Sequence, residues 1–172
     1  MNPEELKRIQ QPLKQSYRDA PDEAVAQLSA SGEIDLETLT CRVATPFSEA
    51  NSVTSGLHPK AGGDGLVACS GDMLLQSLVA CSGVTFAAVA TAMGLEISRA
   101  KVSARGEMDF RGTLGIDRET PVGLTSVELS FDVQSGEPDE SIAKLIELTE
   151  RYCVVLQTLA QGVTVTSRRA SA

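Results

Sequence analysis

The sequence predicts an α+β protein with one compact domain, in which an antiparallel sheet wraps around a long buried central helix. Three observations carry that prediction. Gly71–Met93 (GDMLLQSLVACSGVTFAAVATAM) is apolar on most of its faces, as expected of a helix enclosed by other elements. Behind it, Ile97–Phe110 and Val122–Val133 alternate with the period of strands. No βαβ unit repeats, and neither a G-x-G-x-x-G nor a Walker sequence occurs, which argues against Rossmann and barrel folds. The 172 residues suit one domain with a real core, or one domain with a helical arm.

Taken in order, Pro3–Ala20 carries Leu6, Ile9, Leu13 and Tyr17 at spacings of three and four, the mark of an amphipathic helix, with a break or kink expected at Pro12. Pro21-Asp22-Glu23 reads as a second helix start, running to Ala30 and ending at Ser31-Gly32. Leu39, Cys41 and Val43 alternate, so a strand covers at least the second half of Ile34–Thr45. Pro46–Gly65 is a polar, glycine-rich connection containing SGLHPKAGGDG, long for a plain turn and therefore a candidate functional loop. Asp72 opens the central helix, where a carboxylate caps or meets the helix dipole, and Gly94 closes it. Gly106 marks a bulge in the next strand, which continues past Gly112 into Thr113–Ile116. After the turn Ser135–Pro138, a helix spans Asp139–Arg151. Tyr152–Ala160 continues it or restarts after a kink, and Gly162 leads into a last strand, Val163–Thr166. One sheet carrying one large helix leaves apolar surface over, which predicts a homodimer.

Composition limits function. Fifteen basic against 23 acidic residues give a net charge of -8, which excludes nucleic-acid binding as the main task. The opening MNPEELKRIQQP has no apolar stretch of the kind a secretory leader needs, and the central apolar segment is interrupted by Gln76, Ser77, Ser82, Gly83 and Thr85. Neither a leader nor a membrane span is expected, and the expected address is cytoplasmic. The four cysteines, Cys41, Cys69, Cys81 and Cys153, lack the short-spaced pairs of a zinc site, and the single histidine, His58, completes no Cys/His set. No metal or organic cofactor is expected. In a reducing compartment structural disulfides are disfavoured, so the ordinary fate of each thiol is to be a small buried hydrophobe or a free thiol of no consequence. The spacing of Cys81 and Cys153 permits a pair without establishing one.

The stretch GDMLLQSLVACSGVTFAAVATAMGL (Gly71–Leu95) resembles the central-helix signature of the osmotically inducible protein C / organic hydroperoxide resistance (OsmC/Ohr) family. ERYCVVLQTLAQGVTV (Glu150–Val165) resembles that family's second-cysteine segment, and GEMDFRGTLGI and VGLTSVELSFDV fit its layout. The similarity runs from about Ile34 to Val165. It leaves residues 1–31 as an N-terminal helical arm on an OsmC-like domain of residues 32–172.

The resemblance implies a cysteine-dependent peroxidase that reduces organic hydroperoxides, an antioxidant activity of the oxidative stress response. Cys81 would attack the peroxide and Cys153 would resolve the sulfenic acid. An external dithiol, or a lipoyl- or thioredoxin-type protein, would restore both thiols. The family's glutamate, ten residues ahead of the first cysteine, is here Gly71. Asp72, one position on and a methylene shorter, would replace it only with a local backbone shift. For the family's arginine the candidates are Arg111, placed to reach a thiolate across a dimer interface, and Arg42, nearest in order. The loss of the glutamate favours a second reading, a non-catalytic OsmC-like protein that binds an apolar small molecule.

Overall fold

A computed structural model describes residues 1–45 and 48–169. In chain order the elements are α1 (Pro3–Asp19), β1 (Ser31–Asp35), β2 (Thr40–Thr45), β3 (Ser48–Ser55), α2 (Ser70–Met93), β4 (Ile97–Met108), the single turn α3 (Phe110–Thr113), β5 (Leu124–Ser135), α4 (Asp139–Tyr152) and α5 (Val154–Gln161). β1, β2 and β3 form an antiparallel meander, and β4 pairs with β5. This is an α+β fold with antiparallel sheets.

The chain divides into two compact units. The first contains Met1–Leu6, Ser77–Ser103 and the chain from Ser130 on. Its core lies along α2, where Leu78, Ser82, Phe86 and Ala90 recur every fourth residue and are the buried stripe of the helix. Leu145 of α4 packs into the same core with Phe86 and Ala90, flanked by Phe131, Val133 and Ile146. Phe86 and Phe131 stack with ring centroids 5.7 Å apart. In a chain without tryptophan this aromatic pair and its aliphatic neighbours do the filling. The helix ends at Gly94, whose φ of 70° a residue with a Cβ adopts only under strain.

Two expectations about this helix are corrected. Within the chain it is buried along one stripe, whereas enclosure on most sides was expected; Val84, for example, is 73% exposed. By length and composition it is also apolar enough to cross a membrane, with a mean hydropathy of 1.8, because alanines, valines and leucines outweigh its few hydroxyls and its glutamine. Its packed stripe marks it as a core helix.

The second unit comprises Lys7–Gln76 and Ala104–Leu129 and holds the three-stranded meander. Asp35 makes the β1–β2 turn by accepting the N–H groups of Glu37 and Thr38. None of the described residues of this unit is buried.

Several elements differ from the sequence reading. α1 opens with a reciprocal cap, in which Asn2 Oδ1 accepts the Glu5 N–H and Glu5 Oε2 accepts the Asn2 N–H, and it runs through Pro12 unbroken. Proline's φ is helical, so the helix forgoes one hydrogen bond and continues. The expected helix up to Ala30 is a single 3-10 turn, Pro21–Ala24, from which Val25 leaves in an extended conformation. So short a segment with no packed face does not sustain a helix. The expected connection after Pro46 contains β3, which pairs with β2 through Arg42 opposite Thr54 and Val43 opposite Val53. Pro46 and Phe47 themselves lie outside the described residues. Thr113–Ile116 is the end of α3 and a turn, and Val163–Thr166 is irregular and pairs with no described strand.

Candidate functional site

Cys81 lies on α2, and Cys153 sits at the non-helical joint between α4 and α5, with φ -73° and ψ 107°. Both belong to the first unit. At the joint the Cys153 N–H still donates to the Thr149 carbonyl at 2.9 Å, and its carbonyl accepts the Gln157 N–H at 2.9 Å. One helix therefore hands over to the next at this residue, and the first amides of α5 are left without intrahelical partners.

Those amides meet Cys81. Burial pushes the Cys81 thiol up. The neighbouring Val155 amide, the Cys153 thiol, the Val154 amide and the Thr85 hydroxyl pull the other way. The net result lies below the ordinary thiol range, which favours the nucleophilic thiolate. Cys81 is half-buried, Cys153 has no exposed surface, and both are free thiols. Cys153 has one further partner. The Ser82 hydroxyl, also fully buried, lies 3.2 Å from its sulfur.

Ser82 and Thr85 were not singled out from the sequence. Their signal was the helical register itself, since Thr85 lies one turn beyond Cys81 on the same face of α2.

The remaining candidates belong to the second unit. Asp72 Oδ2 accepts the Cys69 N–H at 3.2 Å, an N-terminal cap on α2. Arg111 grips Asp109, with Nη2 2.6 Å from Oδ2, and holds that carboxyl down at about 2. Arg42 is paired with Glu33 across the β1–β2 ladder. Arg111, Asp72, Cys69, Gly71 and His58 line one cavity, which Arg42 does not reach. A side chain at Gly71 would meet only the Cys69 sulfur, 3.6 Å from the Cβ position.

The structure thus joins an α+β fold with antiparallel sheets to two neighbouring free thiols, Cys81 and Cys153. The family follows from comparison. The model of the family described as OsmC-like protein matches residues 63–168, more than half of the chain, and the chain belongs to that family. An OsmC-like protein from Mycoplasma pneumoniae is 20% identical with a TM-score of 0.64, over 80% of this chain and 89% of that one. An organic hydroperoxide resistance protein from Elizabethkingia anophelis is 14% identical with a TM-score of 0.64, over 80% of this chain and 91% of the other. A further organic hydroperoxide resistance protein, from Legionella pneumophila, is 14% identical with a TM-score of 0.61, over 78% and 90% of the two chains. At these identities the likeness is one of fold. No curated protein matches the chain.

Proposed function

We propose that the protein is a thiol peroxidase that reduces organic hydroperoxides through Cys81 and Cys153. The observation that carries this reading is the contact of the two thiols at the amino end of α5, with Cys81 held below the ordinary thiol range. The Cys81 thiolate attacks the outer oxygen of the hydroperoxide. The O–O bond breaks, the alcohol leaves with one proton, and Cys81 becomes a sulfenic acid. The Cys153 sulfur then attacks the Cys81 sulfur, the S–OH bond breaks, and water departs with the Cys153 proton. An external dithiol returns two electrons and two protons, restoring both thiols.

Ser82 is the positioning residue of the second step. Its hydroxyl holds the fully buried Cys153 sulfur and is the group through which that thiol can pass its proton. Activation in this reading rests on the α5 amides and Thr85. It requires neither Arg111 nor Arg42, each of which is engaged by a carboxylate of its own unit, and Asp72 serves as a cap.

The working form is a homodimer in the cytoplasm, in which a second copy completes the enclosure of α2. The bare face of that helix and the absence of buried residues among the described residues of the second unit support this. Residues 1–31 are an accessory arm on the domain of residues 32–172.

The deciding experiment is a brief pulse of cumene hydroperoxide on the reduced protein, followed by thiol blocking and disulfide mapping by mass spectrometry. A rapid, near-complete Cys81–Cys153 link is expected. Cys81 remaining reduced at a small excess of hydroperoxide would end the peroxidase reading.

A further inference from the structure

In an unbroken helix through α4 and α5, the Glu150 carbonyl would accept the Val154 N–H and the Arg151 carbonyl the Val155 N–H. At Cys153 a ψ of 107° turns the chain out of the helix, and these pairings are given up. The two amides lower the Cys81 thiol instead. The carbonyls they leave behind need other partners, because an unpaired acceptor at a helix end costs stability. For Glu150 that partner is a side chain. Gln157 Nε2 donates to its carbonyl at 2.9 Å, reaching back seven residues across the joint.

This carboxamide is held at both ends. Its Oε1 accepts Gln161 Nε2, one turn further along α5. The backbone N–H of Gln157 donates to the Cys153 carbonyl at 2.9 Å, the first helical bond after the joint. Gln157 is half-buried, whereas Arg151, Tyr152 and Val154 beside it are exposed. Glu150, Cys153, Gln157 and Cys81 all belong to the first unit. Gln157 thus supplies to Glu150 the hydrogen bond that the Val154 N–H supplies in a continuous helix. To straighten, the chain would have to exchange one hydrogen bond for another, so closing the joint gains it nothing.

We propose that Gln157 is a positioning residue for Cys81: by taking the Glu150 carbonyl it keeps the joint open and leaves the Val154 and Val155 amides to the Cys81 sulfur. Its own side chain bonds to neither sulfur. No charged side chain is among the groups that act on the Cys81 thiol, and the one titratable group among them is Cys153, so the two amides act there unmasked by a neighbouring charge. The use of Gln157 in turnover rests on the peroxidase reading above; its effect on Cys81 does not.

Gln157→Met keeps the length of the side chain and its suitability for a helix but has no donor. Iodoacetamide alkylation of Cys81 in the reduced, full-length protein is followed by mass spectrometry as a function of pH. In the variant the plateau should move up by about one pH unit. Below it the reaction should slow about threefold, since a tenfold loss of thiolate is partly offset by the greater nucleophilicity of a more basic sulfur. A variant with the circular dichroism of the parent and an unmoved profile would overturn the proposal. If the variant does not fold, the parent decides. Its Gln157 side-chain amide protons should exchange with solvent about tenfold more slowly than those of the exposed Gln27, and equal exchange would overturn the proposal as well. Alkylation needs no hydroperoxide, so a parent that forms no Cys81–Cys153 link on cumene hydroperoxide would end the peroxidase reading while the pH profile still decides the role of Gln157.

Discussion

Cys81 and Thr85 set the terms of the chemistry at the scale of single residues. A lowered thiol pKa leaves more thiolate at any given pH, so Cys81 alkylation should rise with pH and reach its plateau at a lower pH than an ordinary thiol does. Replacing Thr85 by Val removes one stabilising donor and should move that plateau to higher pH, as iodoacetamide kinetics resolved by mass spectrometry would report. Ser82→Ala deletes the hydroxyl beside Cys153, at a cost of about 1 kcal/mol if a buried hydrogen bond is lost. The first reaction with hydroperoxide should survive while disulfide formation slows several-fold and sulfinic acid accumulates. Unchanged resolution kinetics would remove Ser82 from the mechanism. Cys81→Ser should abolish turnover, and Cys153→Ser should allow one reaction and then stall. The two thiols were legible as candidates because each lies in a segment with a family likeness. Their contact was not legible, since it depends on α4 and α5 breaking at Cys153 and so turning two amides toward α2.

Among the elements, those with strong local patterns were readable. α2, α4 and α5 follow from their apolar spacing, and of the two alternatives left open at Tyr152, a continued helix or a restart after a kink, the structure has the restart, at Cys153. β3 was missed because SEANSVTS has little apolar alternation and exists as a strand through its pairing with β2, a non-local contact that leaves no local mark. The helix expected up to Ala30 failed for the converse reason, a local pattern with nothing to pack on. Leu145, with no exposed surface, anchors α4 to the core of the first unit. Leu145→Ala should cost about 3 kcal/mol by denaturant titration, while Leu28→Ala, at a residue 93% exposed, should cost almost nothing. Gly63→Ala sets a methyl group against a backbone oxygen and should destabilise the protein by about 2 kcal/mol or more. A stability equal to that of the parent would show that the loop has room to move.

At the scale of the whole molecule, light scattering should give twice the chain mass if the homodimer reading holds. Val84→Glu, which puts a charge on the bare face of α2, should reduce the mass to that of one chain or drive aggregation. An unchanged dimer would place the interface elsewhere. The exposed face of α2 carries a further consequence. If a second copy covers that face, a helix with the hydropathy of a membrane span and only one packed stripe would tie folding to association, and the thermal midpoint should rise with protein concentration. In that case abundance would feed back on survival: scarce copies would stay solitary long enough to be degraded or to aggregate, plentiful ones would protect one another, and the amount of working protein would climb more steeply than the rate at which it is made.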